Sequence, residues 1–201
     1  MRRPLVVAAA CVVLSAGAGG CYPNRLDGVD YDAVATVTDT TANWAATTYS
    51  MSDSVVHLVP PGEQDNISRA FDATIIATVR ANMNARGYTS VATPATADFH
   101  VRLAVSSTEY QGYYWNYWCG YWGYWYPYGC YYPPYYGTYS YTVGSLFVAI
   151  SDRRVTTTPN QSPLIWLSVG NGVANNGSTA ARITNAINQM FTQSPYIDAT
   201  P

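Results

Sequence analysis

Between Glu109 and Asp152 the chain carries no charged residue, and most of its Tyr110–Tyr141 portion is tyrosine and tryptophan. Tyr110 to Tyr141 holds fourteen Tyr and four Trp. Tyr114-Trp115-Asn116-Tyr117-Trp118 and Tyr121-Trp122-Gly123-Tyr124-Trp125 form an imperfect tandem repeat at seven-residue spacing. Pro127, Pro133, Pro134 and the interspersed glycines exclude a long helix or a central strand. A membrane span is excluded as well, because so many phenols in hydrocarbon would each need a hydrogen-bond partner. What is left is a long aromatic loop insertion, 109–142, between two flanking elements that must pair without it.

Those flanks read as strands. Phe99, Val101, Leu103 and Val105 alternate with His100, Arg102 and Ala104, which predicts a half-buried strand. Leu146, Val148 and Ile150 alternate likewise from Gly144 to Asp152. Because loop-closure entropy grows only logarithmically with length, a long insertion between paired strands costs little.

The rest of the chain supplies the partners. Strands are expected over Val29–Val37 and Trp44–Tyr49, with Val55–Val59 either continuing the second or standing apart. Pro60-Pro61-Gly62 is a firm break. Ile67, Phe71, Ile75, Ile76, Val79 and Met83 recur at helical spacing, with Asp65 or Asn66 as cap and Gly87 as terminator. Leu164–Val169 reads as a further strand ending at Gly170-Asn171-Gly172. Ser178 can cap a last helix whose apolar face is Ile183, Ala186, Ile187, Met190 and Phe191, closed by Pro195. The order predicts an α+β fold: an antiparallel or mixed sheet with two helices packed on one face.

The N-terminus reads as an address. Arg2 and Arg3 precede an apolar run, Leu5 to Leu14, and small residues lead into Ala18-Gly19-Gly20-Cys21. This is the pattern of a secretory signal, too short for a stable span. Cysteine directly after the small residues is where a bacterial lipoprotein would be cut and acylated. The expected division is a signal peptide, 1–20, a lipid-anchor tether, 21–28, and one domain, 29–197. Acyl chains such as palmitate on Cys21, at about 0.8 kcal/mol per buried methylene, would anchor the protein firmly. Tyr22 rather than Asp after the cysteine favours the outer membrane, facing the periplasm. Ala16-Gly17-Ala18 offers a competing cleavage site that would release a soluble periplasmic or secreted protein.

Composition narrows the function. All ten basic residues are arginine, against twelve acidic ones, so losing Arg2 and Arg3 with the leader leaves a modestly acidic protein. No basic stripe exists, which argues against nucleic acid. Of the four cysteines, Cys11 leaves with the leader and Cys21 carries lipid. Cys119 and Cys130 remain as an expected disulfide, stabilising by roughly 2 to 3 kcal/mol, with two free thiols as the alternative. No metal ligand set and no cofactor motif is present. G-x-S-x-G, H-E-x-x-H and glycine-rich phosphate loops are all missing, so no catalytic residue is assigned. Asp98, His100 and Arg102 share a strand face, a pattern more typical of a salt-bridged surface than of a catalytic site.

From about Tyr31 onward the chain resembles a bacterial lipoprotein family known as domain of unknown function 4136. Arg86-Gly87-Tyr88 with Ala97-Asp98-Phe99-His100-Val101 matches its helix end and following strand. Gly144-Ser145-Leu146-Phe147-Val148-Ala149-Ile150-Ser151-Asp152, Leu164-Ile165-Trp166 and Gly170 match its central signature. Ile183, Ile187, Phe191 and Pro195 match its closing helix. The basic residue often found after the tryptophan is Leu167 here. The resemblance implies an exported α+β domain and a membrane address, with no established catalytic residues to transfer.

The aromatic stretch reads either as a tolerated, biased loop partly packed on the domain and pinned by Cys119–Cys130, or as an interaction surface, since Tyr and Trp offer rigid faces with a polar handle at low ordering cost. Trp115, Trp118, Trp122 and Trp125, with Tyr114, Tyr117, Tyr121 and Tyr124, would stack on cell-wall glycan or dock on an envelope protein. The competing reading is a soluble periplasmic small-molecule or glycan binder, or an enzyme. It requires a concave pocket near His100.

Overall fold

A computed structural model describes residues 32–107, 110–113, 130–131, 138–155 and 162–199, with 110–113, 130–131 and 138–141 described through their backbone pairing alone. Its frame is a mixed sheet in the order β1 (Val34–Thr38), β10 (Ser162–Gly170), β9 (Leu146–Asp152), β5 (Phe99–Ser106), β2 (Thr48–Met51) and β4 (Thr89–Ser90). The pairs β1–β10, β10–β9 and β9–β5 are antiparallel, whereas β2 runs parallel to both β5 and β4. The flanks of the aromatic segment thus pair directly, Phe99 opposite Asp152 and Val105 opposite Leu146.

Helices α1 (Asp72–Ala85) and α2 (Ala180–Thr192) cover one face. Ile75, Val79 and Met83 from α1 and Ile183, Ile187, Met190 and Phe191 from α2 join Val101, Leu103, Val148, Ile150 and Trp166 in one apolar core. Burying a large aliphatic or aromatic side chain contributes about 1.5–3 kcal/mol, so this stripe dominates the fold's stability. Trp166 also donates its indole N–H to Ser194 at 3.0 Å, pinning the chain just beyond α2.

The helix ends show how local chemistry sets boundaries. Helix α1 begins later than the apolar spacing implied. Asp65 does not cap it; its Oδ1 instead accepts from the Ile67 amide at 3.1 Å in a local turn. Ser68 then caps a 3-10 turn, Arg69–Phe71, that leads into the helix. Gly87 ends α1 as expected. At φ +85° it lets its own amide reach Asn84 O at 3.0 Å and the Tyr88 amide reach Met83 O at 3.3 Å, a Schellman closure. Helix α2 is capped by Thr179 rather than Ser178, whose hydroxyl is used by Val173 O at 2.6 Å.

Three expectations need correction. The strands beside the insertion are not half-buried: every residue of β5 and β9 is buried. The alternate positions belong to a second apolar cluster, in which Ala104, Phe147, Ala149, Leu164, Leu167 and Val169 meet Leu58. The second strand is Thr48–Met51 rather than Trp44–Tyr49, and Val56–Leu58 is a separate strand, β3, parallel to β5. The expected Cys119–Cys130 bridge is overturned, since no disulfide is present. Cys130 is committed to backbone pairing in β7 (Cys130–Tyr131), which runs parallel to Ser162–Pro163 of β10. A bridge would need a partner Cα within about 7 Å of that fixed position.

The aromatic segment is not seen as one long loop either. Its described parts are strands: β6 (Tyr110–Tyr113) and β8 (Thr138–Tyr141) form an antiparallel ribbon, and β7 joins the main sheet. Tyr and Thr favour such pleated pairing. Trp115, Trp118, Trp122, Trp125, Tyr114, Tyr117, Tyr121, Tyr124, Cys119 and Cys21 lie outside the described residues.

Candidate functional site

The sheet creates a cleft where one edge of β5 changes partner. Strand β2 pairs with Phe99–Val101 and β3 with Ala104–Ser106. Between them the chain leaves the edge at Ser52–Val55, opposite Arg102 and Leu103. The resulting cavity, of about 390 Å³, is lined by Ser50, Met51, Val56, His100, Arg102 and Leu103, with Ser52–Ser54, Ala92 and Pro94 at its border. Its size falls in the lower part of the range for small-molecule sites.

The parallel register sets Ser50 beside His100, and Ser50 Oγ lies 2.8 Å from His100 Nδ1. Both residues are buried, as is Arg102. Burial pushes the His100 imidazole down to about 3, with repulsion from Arg102 and Arg153 adding to the effect and a hydrogen bond at Ser50 partly opposing it. A ring so placed is neutral at any physiological pH. The Arg102 side chain stands in the same wall of the cleft. At the border, Asp53 is turned outward and paired with Arg80 at 2.8 Å.

Asp98, aligned in sequence with His100 and Arg102, does different work. Its Oδ2 accepts from the Thr47 and Thr48 amides, each at 3.0 Å, and from the Thr48 hydroxyl at 2.9 Å. Burial alone would raise its pKa, but these hydrogen bonds and the Arg154 charge outweigh it and hold it below the usual carboxylate value. Arg154, read in the sequence as part of a turn, bonds both carboxylate oxygens of Asp152 and the carbonyls of Asn43 and Ala45. It also stacks 4.9 Å from the Phe99 ring centroid. Together Asp98 and Arg154 lock the segment before β2 onto the end of β5, which is why the strand starts at Thr48.

His57 forms a second ionic cluster. From β3 its Nδ1 faces Asp65 at 2.8 Å and its Nε2 faces Asp72 at 3.2 Å, while Arg69 contacts both carboxylates. This ties β3 to the start of α1. Among the described residues no group of three or more His, Cys, Asp or Glu is arranged to hold a metal. No described helix is long and apolar enough to cross a membrane.

The sequence therefore located His100 and Arg102 but split wrongly around them: Asp98 belongs to a structural lock. Ser50 and Met51 went unnoticed, because only the parallel pairing of β2 with β5 brings them to His100. The one available signal was the uncertain break between Tyr49 and Val55.

A family model described as domain of unknown function (DUF4136) matches residues 29–196. The chain belongs to this family. A DUF4136 family protein from Bacteroides thetaiotaomicron, known from a crystal structure, is 26% identical, with a TM-score of 0.64 over 84% of this chain and 98% of that one. A PelC dodecamer from Paraburkholderia phytofirmans gives 10% identity and a TM-score of 0.43 over 84% and 98% of the two chains. A PDZ domain protein from Parabacteroides distasonis gives 12% and 0.43, over 81% of this chain and 35% of that one. No curated protein matches. The family is associated with bacterial envelope lipoproteins, in keeping with an envelope context for this DUF4136 chain. The central signature residues, on β9, β10 and the turns around them, lie outside the cleft lining. A Cβ on Gly144 would sit 2.4 Å from the Asn175 amide nitrogen, and one on Gly170 would sit 3.0 Å from Val173. Trp166 stacks on Phe191 with ring centroids 5.4 Å apart.

Proposed function

We propose that this chain is a lipid-anchored, non-enzymatic module of the bacterial envelope that engages cell-wall glycan or an envelope protein through its aromatic segment. Cys21 carries the acyl anchor, and the outer membrane facing the periplasm is its place. The observation that supports this most is the way the segment is rooted. Its start and end, Tyr110–Tyr113 and Thr138–Tyr141, are paired with each other, and Cys130–Tyr131 is paired with Ser162–Pro163. A segment whose ends are tied to each other and whose middle is tied to the main sheet is held on a scaffold, as recognition segments usually are. Trp115, Trp118, Trp122 and Trp125 supply the stacking faces, each large, rigid and amphipathic.

The test replaces all four tryptophans with alanine in the acylated protein. Retention on purified cell-wall sacculi and recovery of cross-linked envelope proteins should both fall sharply, with the cooperative unfolding transition unchanged. Full retention of both would overturn the assignment. Intact mass of the membrane-derived protein checks the anchor: an acylated form starting at Cys21 is expected, and a soluble form starting near Gly19 would refute it.

A further inference from the structure

We infer that the paired rings of Trp44 and Tyr196 form a surface platform that binds a pyranose ring of a glycan. The platform lies apart from the aromatic segment, so the two readings stand or fall separately.

Among the described residues only two large apolar side chains are exposed, Val155 and Tyr196. Tyr196 packs against Trp44, with ring centroids 5.9 Å apart and ring planes tilted by 45°. Trp44 rests in turn on Phe99 at 5.5 Å and joins the margin of the main core while staying partly exposed. Its indole N–H makes no hydrogen bond among the described residues. The contrast is Trp166, whose N–H is buried against Ser194 Oγ at 3.0 Å.

Both rings are held from behind. Residues 42–47 form no helix or strand, yet side chains grip their backbone throughout. Arg154 donates to the carbonyls of Asn43 and Ala45, and the Tyr88 hydroxyl donates to the Trp44 carbonyl at 3.0 Å. The Ala45 amide donates to Asn43 Oδ1 and the Thr47 amide to Asp98 Oδ2, each at 3.0 Å. Tyr196 is fixed as firmly. Its hydroxyl donates to Ser194 Oγ at 3.3 Å, and its neighbours Ser194 and Ile197 are fully buried. Two rings positioned in advance lose little freedom when a ligand arrives.

The geometry selects the ligand. At 5.9 Å the rings touch, so no flat group slides between them, as a proline ring would in an aromatic-lined groove. They offer instead one continuous outer surface, apolar on its faces, with an N–H donor on the indole. A pyranose matches both features: its C–H face lies on an aromatic face, and its hydroxyl oxygens accept from the indole.

Four of the six tryptophans lie in the aromatic segment, so replacing those four with alanine leaves only the indole signals of Trp44 and Trp166. Triacetylchitotriose is the probe, because its rings present C–H groups on both faces, and decaproline represents the other ligand class. In the acylated protein in detergent micelles, the trisaccharide should shift the Trp44 indole N–H resonance saturably in the millimolar range and leave Trp166 in place. The four-tryptophan variant should behave the same, and Trp44→Phe identifies the signal by removing it. Tyr196→Ala, at an exposed position, should weaken binding about three- to tenfold, the worth of one aromatic contact, with the Trp166 signal still dispersed as in a folded chain. Absence of a saturable Trp44 shift overturns the platform, as does undiminished binding by Tyr196→Ala. A shift lost in the four-tryptophan variant assigns the glycan to the aromatic segment, which overturns this inference and leaves the other reading standing. Tighter binding of decaproline than of the trisaccharide overturns the choice of a sugar.

Discussion

Two buried polar clusters, at opposite ends of β5, make an instructive pair. Beyond the Ser106 end, Asn171 Oδ1 accepts from the Thr142 amide at 3.0 Å, the Thr142 hydroxyl at 3.3 Å and the Ser145 hydroxyl at 3.0 Å. The Gly172 amide closes the circuit by donating to Ser145 Oγ at 3.1 Å. Every partner there is another buried part of the chain. Toward the Phe99 end, Ser50, His100 and Arg102 are equally buried, yet they border a cavity that opens outward. The first arrangement spends its polar groups on holding two turns together. The second keeps its polar groups beside an opening.

Breaking the closed cluster should cost most. Gly144 sits beneath it at φ +79°, with backbone atoms of Ala174 and Asn175 under 3 Å from where a Cβ would be. Gly144→Ala is expected to destabilise by about 3–5 kcal/mol, combining strain with a backbone clash, measured by urea denaturation. Asn171→Ala should follow at about 2–4 kcal/mol, because it strands buried donors that no water can reach. In the open cluster, pH is the sharper tool. His100 is neutral in the fold but takes up a proton near 6.5 when unfolded, so stability is complete above that pH and declines as pH falls toward 3. Going from pH 7 to pH 5 should cost about 2 kcal/mol through this group, and His100→Gln should remove that part of the slope. The smallest effect is expected at the border. Asp53, 89% exposed, pairs with Arg80 on the surface, and Asp53→Asn should shift the midpoint by no more than about 0.5 kcal/mol.

Much of the frame could be read from residue order. Alternation at Phe99–Val105 and Leu146–Ile150 marked the central strands, and the spacing from Ile183 to Phe191 marked the last helix. Gly87 ended its helix for the reason its type suggested. What escaped were features created by neighbours. Asp65 looked like a cap but is drawn into a turn facing His57. Thr48–Met51 is a strand only because Asp98 and Arg154 fix the chain before it. His100 and Arg102 looked like a wet face because alternation implies one, whereas the second apolar cluster makes that face interior. The cleft was the least legible part, since it depends on two short strands sharing one edge with a gap between them. No pattern in a linear sequence records a gap.

The pairing of Cys130–Tyr131 with β10 divides the aromatic stretch into two unequal spans, 114–129 and 132–137. Both copies of the seven-residue repeat fall in the first span, between Tyr113 and Cys130. Gain or loss of a copy by slippage of the coding DNA would therefore change only that span. The register of β7, β8 and everything after them would stay as it is. A protein built this way can vary the number of its aromatic units across generations while its domain is inherited unchanged.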